Sequence, residues 1–254
     1  AIFVIGISAW FLIQKRHILL AKKSIVVASA FGLITSAFLL LSGDESAYLA
    51  AQKQPMKLAA MEGLYKGEKN AGLVAAGILN PAKKLGDEGD AFLLEIKVPY
   101  ALGIMANREL DSFTPGINDL LYGNSEHNLI SVEEKMAKGK VAIEALKNYK
   151  EAKKANDESL MKSSLSNLES NLNFLGYGYL KDAKDAVPPV ALTFYSFHIM
   201  VALGTYFIAL FVITLYLNLS RKYKFENIRA FLWICLFTID RKSTRLNSSH
   251  EIPS

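Results

Sequence analysis

The chain has 254 residues, 51% hydrophobic and 21% charged, with a net charge of +5 and a single cysteine. The charged residues concentrate in the middle and the apolar ones at both ends, which excludes one ordinary soluble core. Cys235 alone excludes a disulfide framework or thiolate metal centre, and no stripe of basic and aromatic residues offers a nucleic-acid surface.

The sequence opens in mid-pattern, AIFVIGISAWFLI, without a starting Met, a basic leader or a small-residue cleavage site. Ala1 to Ile13 reads as the end of an apolar helix cut at its start, and Gln14 to Lys23 follows with Lys15, Arg16, Lys22 and Lys23. Ser24 to Leu41 is 18 residues without a charge. At ~1.5 Å per residue it spans roughly 27 Å, close to a bilayer core of about 30 Å. Asp44 and Glu45 come at once, so the apolar run is expected to stop at Ser42.

Residues 42–189 hold 18 Lys and Arg against 21 Asp and Glu, so the positive excess lies outside them. Asn70 to Asp90 is rich in Gly, Lys and Asp and reads as a flexible loop. Phe92 to Met105 begins as an extended apolar stretch and is broken by Pro99. Ser131 to Lys154 is an amphipathic helix with Ser131 and Glu134 as a capping box and Val132, Met136, Ile143 and Leu146 on its apolar side. Glu158 to Leu175 forms a second helix ending at Gly176 and Gly178. Val190 to Leu219 is another span, interrupted only by His198 and followed by Arg221, Lys222, Lys224 and Arg229; Ile228 to Ile239 starts one more helix and stops short.

The basic clusters at 14–23 and 220–229 are separated by two spans and therefore lie on one side. The positive-inside rule makes that side cytoplasmic and places 42–189 on the periplasmic or outer side. The expected architecture is all-α: a polytopic membrane helix bundle with a large extracytoplasmic loop domain. Residues 1–41 and 190–240 are its membrane parts, the outermost helix of each truncated.

Few residues have the makings of chemistry. Lys57 and Glu62 lie five apart, about 140° round an ideal helix, so they do not share a face unless it is distorted. Glu62 is suited to accepting a proton and Lys57 to polarising a quinone-type oxygen. Met200 sits some ten residues into the last full span beside His198, and a Met thioether can serve as an axial haem ligand. His17, His127 and His250 show no metal-binding spacing. On topology alone, a multi-pass receptor with an outer ligand-sensing domain is an alternative.

The runs GISAWFL, LLLSGDESAY, KLAAMEGLY, VPYALGIMANR, LGYGYL and FHIMVALG, in this order, resemble subunit I of the cytochrome bd-type quinol oxidases over residues 1 to about 239. The resemblance implies an electrogenic quinol:O2 oxidoreductase of the bacterial cytoplasmic (inner) membrane. Electrons from ubiquinol or menaquinol reduce O2 to water, through a low-spin haem b, a high-spin haem b and haem d. It implies subunit II and a small accessory subunit as partners, with membrane lipid around the helices and no nucleic acid. Residues 42–189 correspond to the quinol loop in its long form. Lys57 and Glu62 match the quinol-binding and quinol-oxidising pair, and Met200 matches one axial ligand of the low-spin haem b. His198, a neighbour of that cofactor, stands where many members have Arg. The second axial ligand is expected upstream of Ala1 and the ligands of the other haems outside this chain, so the fragment alone is expected to be inactive. Residues 241–254, RKSTRLNSSHEIPS, read as a non-native tail.

Overall fold

Among the described residues of the computed structural model, two helices are long and apolar enough to cross a membrane, one within Ile18–Lys53 and one within Ala183–Leu219. The structure describes residues 1–109, 111–220 and 225–247, with side chains described as far as residue 238. Arg221, Lys222 and Lys224 of the second basic cluster and 248–254 of the expected tail lie outside the described residues.

The chain divides into two compact units, Ala1–Gly43 with Ile199–Ser254, and Asp44–His198. The first unit contains α1 (Ile2–Ile13), the apolar part of α2 (Ile18–Lys53), most of α8 (Val190–Leu219) and α9 (Arg229–Asn247). Ile5, Ala9, Leu12, Ile25, Leu210, Phe211 and Leu232 form its core. A side chain at Gly32 would lie 2.7 Å from the Phe211 ring, so the glycine is what lets the two helices close. Lys22 pairs with Glu226 at 2.5 Å, and Asn218 donates to the Lys22 carbonyl at 2.9 Å.

Two helix ends differ from expectation. The acids after Leu41 end the apolar run but not the helix, since α2 continues to Lys53 over 36 residues, roughly 54 Å. Ala, Leu, Glu, Gln and Lys through this extension are good helix formers. The break comes only at Gln54, whose φ of −137° leaves the helical region ahead of Pro55, which disfavours helix at the residue before it. At the other end α9 runs on to Asn247, not stopping at Ile239.

The second unit is built around the short helix α3 (Pro55–Glu62), with Pro55 at its first turn where a missing N–H costs nothing. Two small sheets accompany it: β1 (Glu68–Lys69) pairs with β4 (Phe113–Thr114), and β2 (Leu73–Leu79) pairs antiparallel with β3 (Phe92–Val98). The segment expected as a flexible loop from Asn70 to Asp90 therefore contains a seven-residue strand. Helices α4 (Ala101–Asn107), α5 (Ile117–Tyr122), α6 (Val132–Ala155) and α7 (Glu158–Asn171) complete the unit. The helical architecture is as expected, and the two sheets are small additions to it.

Helix α6 starts where the capping pattern places it: the Ser131 side chain accepts the Glu134 N–H at 3.2 Å. Its inward line differs in part, because Gly139, Ala142, Ala145 and Ala152 are buried beside Val132 and Met136, while Ile143 and Leu146 are only half-buried. The small residues are there for close contact. A Cβ on Gly139 would meet the Gly178 nitrogen and the Phe174 oxygen at 2.4 Å, in the 3-10 segment Leu172–Tyr179.

Candidate functional site around Glu62

Glu62 is the last residue of α3 and is only 2% exposed. Gly63 stops the helix in the left-handed region at φ 63°, a conformation glycine adopts without cost. Any side chain there would also meet Phe92 at 2.8 Å and Leu79 at 3.1 Å. The chain beyond is pinned to α5: Leu64 and Tyr65 carbonyls accept the Ile117 and Asn118 N–H groups at 2.8 and 2.9 Å. Asp119 accepts from the Gly67 and Gly116 N–H groups at 2.6 and 3.1 Å and from Asn124 at 2.7 Å. The end of α3 is thus fixed by backbone geometry, and Glu62 with it.

Around α3 lie three apolar groups. Leu58 packs with Leu64, Leu102 and Ala106; Ala59 and Ala60 pack with Ile117 and Leu120; Val74 and Leu79 pack with Phe194. Burial of this kind disfavours a charge, and it pushes the Glu62 carboxyl up to about 6. Two interactions pull in the opposite direction: the Val74 N–H, which donates to Glu62 Oε2 at 3.3 Å, and the nearby His198. A carboxyl titrating near 6 can take up and release protons close to neutral pH.

The same Val74 residue reaches His198. Its carbonyl lies 2.8 Å from His198 Nε2, while His198 Nδ1 lies 2.9 Å from the Phe194 carbonyl. Which of the two nitrogens donates to its carbonyl is set by the tautomer of the ring. With a carbonyl facing each nitrogen, the ring of His198 is held in place between β2 and its own helix. The ring also packs on Phe194, centroids 3.9 Å apart.

Sequence spacing predicts that Lys57 and Glu62 leave α3 in different directions, and they do. Lys57 is exposed to solvent and Glu62 faces the core, so the structure does not bring the pair into one buried pocket. Met200 is 61% exposed on α8, which leaves its thioether uncovered by this chain. Beyond Gly63 opens a cavity of about 1080 Å³ whose walls include Tyr65, Lys66, Lys83, Phe92 and Tyr122. Lys83 sits 5.3 Å from the Tyr65 ring centroid. Sequence reasoning misses Val74 altogether, since nothing in LVAAGIL marks one residue as the link between an acid and an imidazole. Gly63 could have been found, being a glycine directly after a helical run ending in an acid.

Comparison with known proteins places this chain in a family. The profile of "Cytochrome bd terminal oxidase subunit I" matches residues 1–241. Cytochrome bd-II ubiquinol oxidase subunit 1 of Escherichia coli (strain K12) is 31% identical over 239 residues, covering 87% of this chain and 43% of that protein. Cytochrome bd ubiquinol oxidase subunit 1 of Bacillus subtilis (strain 168) is 28% identical over 241 residues, covering 94% of this chain and 38% of that protein. The solved structure of bd oxidase from Geobacillus thermodenitrificans is 18% identical with a TM-score of 0.41, over 86% of this chain and 55% of that one. The chain therefore spans less than half the length of these two curated relatives. With the profile match running through α1 to α9 and across the Glu62 site, the chain belongs to the cytochrome bd terminal oxidase subunit I family.

Proposed function

We propose that the intact protein oxidises quinol at the outer face of a bacterial cytoplasmic membrane, and that residues 42–189 form the quinol-binding loop. Each quinol yields a quinone, two protons and two electrons. Two such oxidations match the four electrons and four protons that convert O2 to two waters. Quinol protons released outside, with protons for water taken from the cytoplasm, generate a proton gradient.

The observation that carries this reading is the buried carboxyl of Glu62, poised near 6 inside the family motif. Glu62 accepts the proton that a quinol hydroxyl gives up, the Val74 N–H steadies the carboxylate, and the αL turn at Gly63 fixes its position. Lys57, exposed on the first turn of the same helix, meets the head group or its oxygen from the solvent side. The cavity beyond Gly63 offers aromatic walls and the cations of Lys66 and Lys83 to a ring carrying polar oxygens.

An uncovered thioether in an apolar helix suits axial ligation of low-spin haem b, so Met200 is assigned that role. Haem b supplies one-electron redox chemistry when bound. High-spin haem b and haem d belong to the rest of the protein, as do a second subunit and a small accessory subunit. Charge distribution supports the orientation, because the basic clusters flank the spans on the side opposite residues 42–189.

The test is Glu62→Gln in the intact oxidase. Removing a positioned general base costs on the order of 100-fold or more, so quinol-driven O2 uptake should fall by at least that while the haem spectrum survives. Uptake at the wild-type rate with an intact spectrum sinks the assignment.

A further inference from the structure

The β2–β3 hairpin has one exposed face that is wholly aliphatic. Its pairing puts Ile78 opposite Leu94 and Ala76 opposite Ile96, with Val98 following on the same side of β3. All five side chains are exposed, Leu94 at 64% and Ile96 at 62%. The other face carries Val74, Gly77, Leu79, Phe92, Glu95 and Lys97. Lys97 lies 3.4 Å from both Glu95 and Glu68. So the hairpin's charges, Glu95 and Lys97, stand on the face that carries Val74 and Phe92 and are themselves exposed there, and the opposite face has none. The irregular pairing on either side of Ala76–Ile78 achieves this: an extra residue in each strand turns Val74 and Phe92 inward, because one residue of shift exchanges the faces of a strand.

What this face meets follows from where the hairpin is fastened. Its inner side packs on Phe194 and Val190 in the first two turns of α8. Leu79 N–H donates to the Tyr195 hydroxyl at 3.1 Å, and Val74 is joined to His198. Those turns open the stretch 190–219, which holds no Asp, Glu, Lys or Arg and is of membrane-crossing length. The hairpin is therefore strapped to the end of a helix that enters the bilayer. Its exposed side chains are aliphatic, without the polar or hydrogen-bonding groups that fix a protein partner in register. Tyr100, exposed just past β3, is of the type that collects at membrane–water interfaces.

We propose that this face rests in the outer leaflet of the membrane, its partner being phospholipid. Ala76, Ile78, Leu94, Ile96 and Val98 reach the acyl boundary, while the strand backbone stays at headgroup level, where water satisfies the unpaired sheet edges. The strap places the roof of the Glu62 site against lipid, the phase in which a long-tailed quinol is dissolved.

The experiment attaches a nitroxide to Leu94→Cys, Ile96→Cys and, on the opposite face, Glu95→Cys in the intact oxidase in phospholipid nanodiscs. Relaxation by O2, which concentrates in lipid, is compared with relaxation by a water-soluble nickel chelate. Labels at 94 and 96 should favour O2 and the label at 95 the chelate. Chelate-dominated relaxation at 94 and 96 overturns the proposal in favour of a water-facing sheet. Immobile labels shielded from both agents overturn it in favour of a protein partner. Quinol-driven O2 uptake recorded on the same samples keeps this outcome separate from the role of Glu62.

Discussion

Replacing Glu62 with Gln should expose the energetic cost of keeping an ionisable group where this one sits. The carboxyl is raised from 4.5 to about 6, and each unit corresponds to about 1.4 kcal/mol between the two protonation states. Folding therefore favours the neutral acid by about 2 kcal/mol. That contribution is fully present below about 4.5 and is lost as pH rises through about 6. Gln keeps the shape and an oxygen for the Val74 N–H but cannot ionise. Its stability relative to wild type should thus improve by about 2 kcal/mol between pH 4.5 and pH 7.5. Infrared titration of the intact oxidase gives the direct readout. Wild type should show a protonated carboxyl band that disappears with a midpoint near 6, and Glu62→Gln should lack it. A midpoint at or below 4.5, or melting curves of the two proteins that move in parallel with pH, would refute the claim that burial dominates this site.

Two other substitutions probe different parts of the chain. Gly139→Ala places a methyl 2.4 Å from the Gly178 nitrogen and the Phe174 oxygen, backbone atoms that cannot swing aside. It should cost about 1–3 kcal/mol, read as a lower unfolding temperature and faster amide exchange in 172–179. Met200→Leu keeps bulk and apolarity while removing the sulfur. It should perturb the low-spin haem b absorbance that Glu62→Gln leaves intact, and an unchanged spectrum would remove Met200 from the ligand set.

What could be read in advance follows from how local the cause is. The membrane-length helices are set by long charge-free runs, and the start of α6 by one serine three residues before a glutamate; both are written in consecutive residues. The β2–β3 pairing is not. LVAAGIL is poor in β-branched and aromatic residues and lies in a Gly- and Lys-rich context, so only its partner strand and the Phe194 side of α8 make it a strand. Spacing correctly separates Lys57 from Glu62, yet it cannot say which is buried. That depends on Val74, Leu102, Ile117 and Phe194, up to 132 residues away. The extension of α2 beyond Ser42 was legible in principle, because its composition is helical until Pro55.

The place of Val74 between Glu62 and His198 has an electrical meaning as well as a steric one. A peptide unit is a dipole, positive at N–H and negative at C=O. Here the N–H of Val74, in one peptide unit, points at an acid that becomes an anion, and its carbonyl, in the next unit, faces a nitrogen of the His198 ring. An anion at Glu62 polarises the amide that faces it and so strengthens that contact. His198 also lowers the Glu62 titration through space, so the acid and the ring influence each other across one residue. Because Val74 also packs on Phe194, the acid and the ring meet at the first turns of α8.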